Sequence, residues 1–384
     1  MLQPTPELLT RLSEPWIAAY SAGKDSTTMI AYIECLRRSG WIDVASPLAV
    51  QSDTGVEDQS LMAVSRRFRK VLGKSGWVFK MVRPKISERL YTQILGRGLP
   101  PIHPGIRNFR WCSRSTKKDP MGRFRRKFGN LLTLTGLRWG ESDQRDAKLV
   151  KAGCQAGGEC GVPDPDNRTY SPIINWSTCM VIDWLNGIVD RETHDLMADV
   201  FEVTRELAAV YGFRTGQPTF SEWGEAEVQA SRFGCRGCPA IGAEAEAPRS
   251  VVNRNGKDSP LNEIYAVWHE AREPHSRIKK YKFSRKQGKF VWMLGCLRMD
   301  ARKRLFDRIM DIQVRAGVRL VTPAEEKFIR QCWERKVYPR GYSEADESTE
   351  MPDVPMPLFE GEANASEIMP WQSHLPSQSA NADE

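Results

Sequence analysis

Apolar and polar positions in the first 150 residues follow a repeating order. Trp16–Tyr20 is a short apolar run that ends at Ser21-Ala22-Gly23-Lys24-Asp25-Ser26. From Thr27 to Arg38 the apolar residues Met29, Ile30, Ile33 and Leu36 fall at the spacing of one helix face. The pattern predicts strand, loop, helix. It then repeats. Pro47–Gln51 reads as a second strand ending at Ser52-Asp53-Thr54-Gly55, Glu57–Leu72 as a helix, Trp77–Val82 as a third strand and Leu131–Thr135 as a fourth. Strands alternating with helices predict an α/β fold, a parallel sheet covered on both faces. Ligands of such sheets bind beyond the carboxyl ends of the strands. Ser21–Ser26 and Asp53 both fall at that edge.

The remainder of the chain changes character. Gly153–Asn167 is rich in Gly, Pro and Asp and reads as a loop. Thr178–Val189 and His194–Tyr211 have helical spacing. Gly212–Pro248 is broken by Gly and Pro and holds Cys235-Arg236-Gly237-Cys238. Helical periodicity returns over Leu261–Arg272, Lys289–Ala316 and Thr322–Arg335. Thr322 followed by Pro323 and Glu325-Glu326 is a helix start. From Gly341 the chain is acidic, rich in Pro and Ser and poor in apolar residues, the composition of a disordered tail. The expected division is a core over 1–150, a cysteine-bearing and mostly helical region over 151–340, and a tail over 341–384. No internal repeat is visible.

Composition narrows the class. A chain of 384 residues has room for one large α/β domain with an appended module, or for two modest domains. No stretch approaches the roughly 20 apolar residues of a membrane span. Met1–Glu14 has neither the basic start nor the apolar run of a secretory signal. Both features predict a cytoplasmic protein without a membrane partner. The formal charge of +8 is unevenly spread. Residues 341–384 hold ten acidic residues and no Lys or Arg, which leaves 56 basic and 38 acidic residues before them, a net of +18. A body this basic predicts a polyanionic partner, nucleic acid first. A solvated basic surface partly neutralised by the tail is the alternative. Basic and aromatic residues interleave at Arg107–Trp111, Arg123–Phe128 and Arg277–Lys289, as phosphate-pairing and base-stacking surfaces do.

Two constellations carry chemistry. In Ser21–Ser26, a turn of small residues between strand and helix exposes backbone N–H groups, and the helix N-terminus adds positive potential. Lys24 can reach phosphate oxygens, Ser21 and Ser26 can donate to them, and Asp25 can bind Mg2+. The spacing differs from a P-loop, which places four residues between its first Gly and Gly-Lys-Ser/Thr. Arg138 and Arg145 follow the fourth strand and can hold phosphates or steady developing charge; a surface pair with Glu141 or with an Asp is the alternative. Asp53 can accept from a ribose or adenine, or serve its own turn.

The second constellation is the cysteines. Nine in a cytosolic enzyme of this length point to metal or redox chemistry rather than disulfides. Cys154, Cys160, Cys235 and Cys238 suit a 4Fe–4S cluster or a Zn2+ site. Cys112 stands beside the basic run Arg114–Lys118, which favours its thiolate; it is a candidate sulfur carrier, or a ligand in place of Cys154. Cys35, Cys179, Cys296 and Cys332 lie on expected helices and read as core. The five histidines have no ligand spacing, and His103 reads as a loop residue.

The hexapeptide Ser21–Ser26 resembles the Ser-Gly-Gly-Lys-Asp-Ser loop of the N-type ATP pyrophosphatases, the PP-loop superfamily that includes the phosphoadenosine phosphosulfate reductases. Ala22 replaces the usual Gly. Arg110–Pro120 resembles the family's Cys-then-Lys-then-Pro segment, Thr135–Arg145 its Gly-x-Arg…Glu-Ser…Arg motif, and Ser171–Trp176 with Val181–Leu185 its Pro-x-x-x-Trp and Asp-Val-Trp-x-x-Leu segments. Arg232–Cys238 and Met299–Leu305 are similar to DndC-type sulfurtransferases of bacterial DNA phosphorothioate modification, with the counterpart acting on single strands left open. The likeness runs through most of residues 15–335.

The resemblance implies an adenine nucleotide α-hydrolase-like (Rossmann-like) fold with a pyrophosphatase core in 1–150. It implies ATP and Mg2+ over Ser21, Ala22, Gly23, Lys24, Asp25 and Ser26, with Asp53, Gly136, Arg138 and Arg145 in support. The implied reaction adenylates a DNA phosphate oxygen and replaces it with sulfur, by way of a 4Fe–4S cluster at the four cysteines or a persulfide on Cys112. A cysteine desulfurase and other subunits of the modification system are the implied partners. Three alternatives stay open: a phosphoadenylyl-sulfate reductase acting on a small sulfonucleotide, a tRNA-thiolating enzyme, and a metal-stabilised nucleic-acid-binding subunit with a vestigial loop. No Cys follows Cys332, which leaves the reductase without the catalytic Cys that family carries near its C-terminus.

Overall fold

The computed structural model describes residues 3–102, 111–129, 131–141, 143–154, 168–211, 235–240, 246–247, 251–252, 255–284 and 289–348. His103, Arg107–Arg110, Cys160 and the acidic tail beyond 348 lie outside them. The chain forms two compact units, both discontinuous in sequence: residues 1–83 with 117–235, and 84–116 with 236–384. Residue 150 lies inside the first unit.

The first unit is built on a five-stranded sheet in the order β3-β2-β1-β4-β5, with β1 Trp16–Tyr20, β2 Leu48–Ser52, β3 Val78–Val82, β4 Leu132–Leu134 and β5 Thr169–Tyr170. All pairings are parallel; β1 aligns Ala18 with Ala49 on one side and Ile17 with Thr133 on the other. Central β1 is apolar nearly throughout because helices cover both of its faces. The edge strand β3 is largely accessible. The helices are α1 Pro6–Ser13, α2 Lys24–Arg38, α3 Gln59–Lys74, α4 Asp119–Arg125, α5 Asp143–Lys151, α6 Thr178–Leu185, α7 Arg191–Leu196 and α8 Ala198–Val210. Buried side chains of α2, α3, α6 and α8 join those of the strands in one core, with Tyr32, Trp176, Trp184 and Phe201 in successive ring contacts.

From β1 the chain runs outward to β2 and β3, then returns across β1 to β4 and β5. The loops after β1 and β4 therefore diverge, and the gap between them is the topological switch point where open α/β sheets take ligands.

The second unit holds α9 Ile264–Glu270, an antiparallel hairpin of β6 Arg277–Ser284 and β7 Lys289–Leu297, α10 Met299–Ala316 and α11 Pro323–Glu334. The helix expected over Lys289–Ala316 is thus a strand followed by a helix. The run Phe290–Leu297 is continuously apolar, a pattern that does not separate strand from buried helix. Its partner strand decides the outcome, and extended Arg298 starts α10 anew. Cys296 accordingly lies on a strand, where burial pushes its thiol up to about 11. Thr322 and Glu325 form the capping box that starts α11.

Arg302 is the hub of this unit. Its side chain is fully buried, donates to the carbonyls of Leu297 (3.0 Å), Gly96 (3.2 Å) and Val337 (2.7 Å), and stacks 4.5 Å from the Tyr338 ring. Residues 341–348 are packed rather than loose. Tyr342 is buried against Gly295, where any side chain would run into its ring. Asp346 pairs with Lys280 at 2.7 Å, and Glu347 accepts from the Met299 N–H at 2.6 Å, capping α10. Acidic residues have cationic partners here, which composition alone did not disclose. Among the described residues no helix is long and apolar enough to cross a membrane.

Candidate nucleotide site

Residues 21–26 form the turn from β1 into α2. Ser26 Oγ accepts from the Ser21 N–H (3.1 Å), meets Ser21 Oγ at 2.9 Å and donates to the Gly23 carbonyl (3.1 Å), so the two serines brace the turn from within. Gly23 is the N-cap of α2 and brings no side chain of its own to cap it. A 15-residue helix with such a start concentrates N–H groups and positive potential at that point. Ala22 has φ 61°, in the left-handed region that glycine favours, and its methyl is buried in the core. Alanine in place of the glycine of the motif it resembles is therefore not neutral for the backbone.

The strand β4 brings a second loop against the first. Gly136 touches the turn so closely that a Cβ there would lie 2.8 Å from the Asp25 carbonyl and the Ser26 nitrogen. Only glycine permits this approach. Ser171 Oγ donates to the Thr135 and Leu137 carbonyls, and Trp139 N–H to the Ile174 carbonyl, which fixes the loop to the segment after β5.

Arg138 leaves this loop and turns inward. It is 2 % exposed; its Nε donates to Asp25 Oδ1 at 2.6 Å, and its Nη1 to the Trp176 carbonyl at 2.9 Å, with Thr178 Oγ1 at 3.4 Å. Lys24 Nζ holds the same carboxylate at 2.9 and 3.0 Å. Asp25 thus stands between two cations. Burial lowers the Lys24 ammonium below its ordinary pKa, with Asp25 opposing the shift and Arg138 adding to it. Arg138, expected to steady phosphates directly, is placed to orient Asp25 instead.

A cleft of about 840 Å³ opens at the switch point. Ser21, Gly23, Asp25 and Ser26 line one side, Thr135, Gly136 and Leu137 another, and Glu141, Arg145, Lys148 and Lys151 a third. Arg145 is exposed and paired with Glu141. Ser21, Gly23, Lys24, Asp25, Ser26, Gly136, Arg138 and Arg145 are therefore brought together. Tyr211, at the end of α8, adds a hydroxyl 3.4 Å from the Lys24 nitrogen. No spacing along the chain signals that contact, because 187 residues separate the partners.

Asp53 ends β2. Its Oδ1 accepts from the Gly55 N–H at 3.0 Å and its Oδ2 pairs with Arg83 Nε at 2.9 Å, so it serves its own turn and an ion pair. Cys112 belongs to the second unit, a partly buried thiol in the short helix Trp111–Ser113.

The metal-binding set is only partly described, since Cys160 lies outside. Cys154 is buried beside Leu149 and Ile174 and is disulfide-bonded; ligation through it requires reduction. Cys235 and Cys238 are partly buried. Gly237 between them has φ 59°, and its carbonyl accepts from Trp268 Nε1 at 2.7 Å, which pins the turn to α9. Among the described residues no three His, Cys, Asp or Glu side chains are grouped to hold a metal. No reaction step is routed through a cluster for that reason.

No protein-family model matches the chain, and no curated protein sequence does. Among solved structures the chain is similar to the crystal structure of phosphoadenylyl-sulfate (PAPS) reductase from Candida auris in a phosphate complex. The identity is 14 % and the TM-score 0.31, over 51 % of this chain and 93 % of that one. At that score the likeness carries no argument, and function is read from the site.

Proposed function

We propose that the protein binds ATP over Ser21–Ser26 and activates a substrate oxygen by adenylation, for replacement by sulfur. The single observation that carries this reading is the Lys24–Asp25–Arg138 arrangement at a helix start, on the switch point of a parallel sheet. Backbone N–H groups and Lys24 suit phosphate oxygens. Asp25, held by Arg138, suits Mg2+, which would spread the charge of departing pyrophosphate. In the first step the substrate oxygen bonds to the α-phosphorus and the bond to pyrophosphate breaks. The outer sulfur of a persulfide then displaces AMP, and a second thiol cleaves the disulfide that forms, leaving the sulfur on the substrate.

The acceptor is a DNA backbone phosphate, a choice supported by the +18 body and the motif resemblance. Sulfur reaches it from a cysteine desulfurase through Cys112; Cys154, Cys160, Cys235 and Cys238 are the candidate set for a metal site, with no step of the reaction assigned to them. Iron and zinc counts on anaerobically purified protein test the metal site.

The test of the reaction is direct. Purified protein, labelled ATP, DNA, cysteine and a desulfurase are combined without oxygen. Pyrophosphate release is expected, falling at least about 100-fold in Lys24→Ala, as for removal of a charge aimed at the transition state. Absence of release from the unaltered protein under every condition would refute the reading.

A further inference from the structure

Helix α5 forms one wall of the nucleotide cleft, and three cations line that wall: Arg145, Lys148 and Lys151. They recur every third residue, so they stay within about a third of the helix circumference. At 1.5 Å per residue the row is about 9 Å long.

The helix is fixed in place. Leu149, 2 % exposed, anchors it in a small cluster with Cys154 and Ile174, against which Leu137 and Trp139 pack. Asp146 accepts from the Gly140 N–H at 3.2 Å and ties its first turn to the loop after β4. The cations are therefore held on the same frame as the phosphate-binding turn.

Their charge is unequally matched. Asp25 is occupied by Lys24 and Arg138, and Glu141 by Arg145. Lys148 and Lys151 are exposed and have no carboxylate partner among the described residues. Two lysines in the last turn of a helix also complement its dipole. That role does not require them to face a cleft beside a phosphate-binding turn.

We propose that Lys148 and Lys151, with Arg145, seat the backbone of a DNA strand beside the nucleotide, so that one of its phosphates faces the α-phosphorus. The proposal rests on the nucleotide reading above and assigns the acceptor surface of that same cleft. Phosphates of one duplex strand advance about 3.4 Å along the axis. Along the strand itself their separation is about twice that, so a row of about 9 Å meets two neighbouring phosphates. Contacts to the backbone give register without sequence information, as expected for lysines.

The experiment compares the unaltered protein with the double variant Lys148→Gln/Lys151→Gln and the conservative Lys148→Arg/Lys151→Arg. Binding of labelled 20-mer DNA, single-stranded and duplex, is titrated from 50 to 200 mM salt. A matching RNA and ATP alone are titrated in parallel. The glutamine variant should bind DNA about tenfold more weakly at low salt, with the slope of log affinity against log salt smaller by about 2. ATP affinity should stay within about twofold, and the arginine variant should restore DNA binding.

Three results would overturn the proposal. One is an unchanged DNA affinity and slope, which would leave the lysines a dipole role. Another is a parallel loss of ATP affinity, which would make the row part of the triphosphate seat. The third is a preference for RNA over DNA that the substitution abolishes. Failure of pyrophosphate release with DNA binding and its lysine dependence intact would instead refute the reaction and spare the surface.

Discussion

Ala22 concentrates the cost of the turn between β1 and α2 in one residue. A left-handed backbone costs a non-glycine residue about 1–2 kcal/mol, while its buried methyl contributes about 0.8 kcal/mol. Glycine would relieve the first, forgo the second and add flexibility to the unfolded chain. The terms nearly cancel. Ala22→Gly is expected to melt within about 3 °C of the unaltered protein and to keep ATP binding, as thermal unfolding and calorimetry would record. Ala22→Val is expected to lose both stability and binding, since a β-branched residue tolerates neither the backbone nor the crowding. At this scale the sequence placed the turn: Ser21–Gly23 join β1 to α2 as the strand-loop-helix pattern has them, while Lys24–Ser26, expected in the loop, already open the helix. It did not disclose direction. Arg138 reads as an active-site cation, yet its fork points into the fold because Asp25, Trp176 and Thr178 surround it.

Single elements were legible where one face or one period dominated. β1, α2 and α3 were read within two or three residues, because their apolar runs are bounded by turn residues. β5 has two residues and offers no period at all. The hairpin strand β7 reads as helix because an unbroken apolar run carries no period of two to mark a strand. Element ends also store acid sensitivity. Glu34, buried near the end of α2, is pushed up by burial but pulled down further by hydrogen bonds from Arg37, Arg38 and Trp77, for a net lowering. A lowered carboxyl pKa stabilises the fold above the unfolded value, near 4.5, and that contribution disappears as pH falls through the folded value. Urea midpoints are therefore expected to drop between pH 5 and 3. Glu34→Gln should flatten that drop while lowering stability at pH 7. A steepness equal to that of the unaltered chain would show that other carboxylates dominate.

For the whole molecule, architecture is the part local periodicity reaches least. The division at residue 150 has no counterpart in the two compact units. A segment of 33 residues, 84–116, joins the later unit although the strands before it and the helix after it build the earlier one. Such an exchange leaves no mark on local periodicity. A fragment ending at residue 150 lacks β5, α6 and α8, whose side chains complete the core around Tyr32 and Trp176. It is expected to be insoluble or to lack a cooperative melting transition, whereas 1–348 should retain one; circular dichroism on both distinguishes the cases.

The interleaving of the two units also sets an order on synthesis. Residues 84–116 leave the ribosome long before 236–348, the stretch they finally pack with, so for more than a hundred codons they have no permanent neighbours. At about 5–20 residues per second that interval lasts several seconds or more. Until it ends, the apolar side chains of Leu90, Tyr91, Ile94 and Leu95 are without the surroundings that bury them in the finished protein. Newly made chains thus pass through a window of vulnerability in which a chaperone, rather than a neighbouring helix, keeps this segment out of trouble.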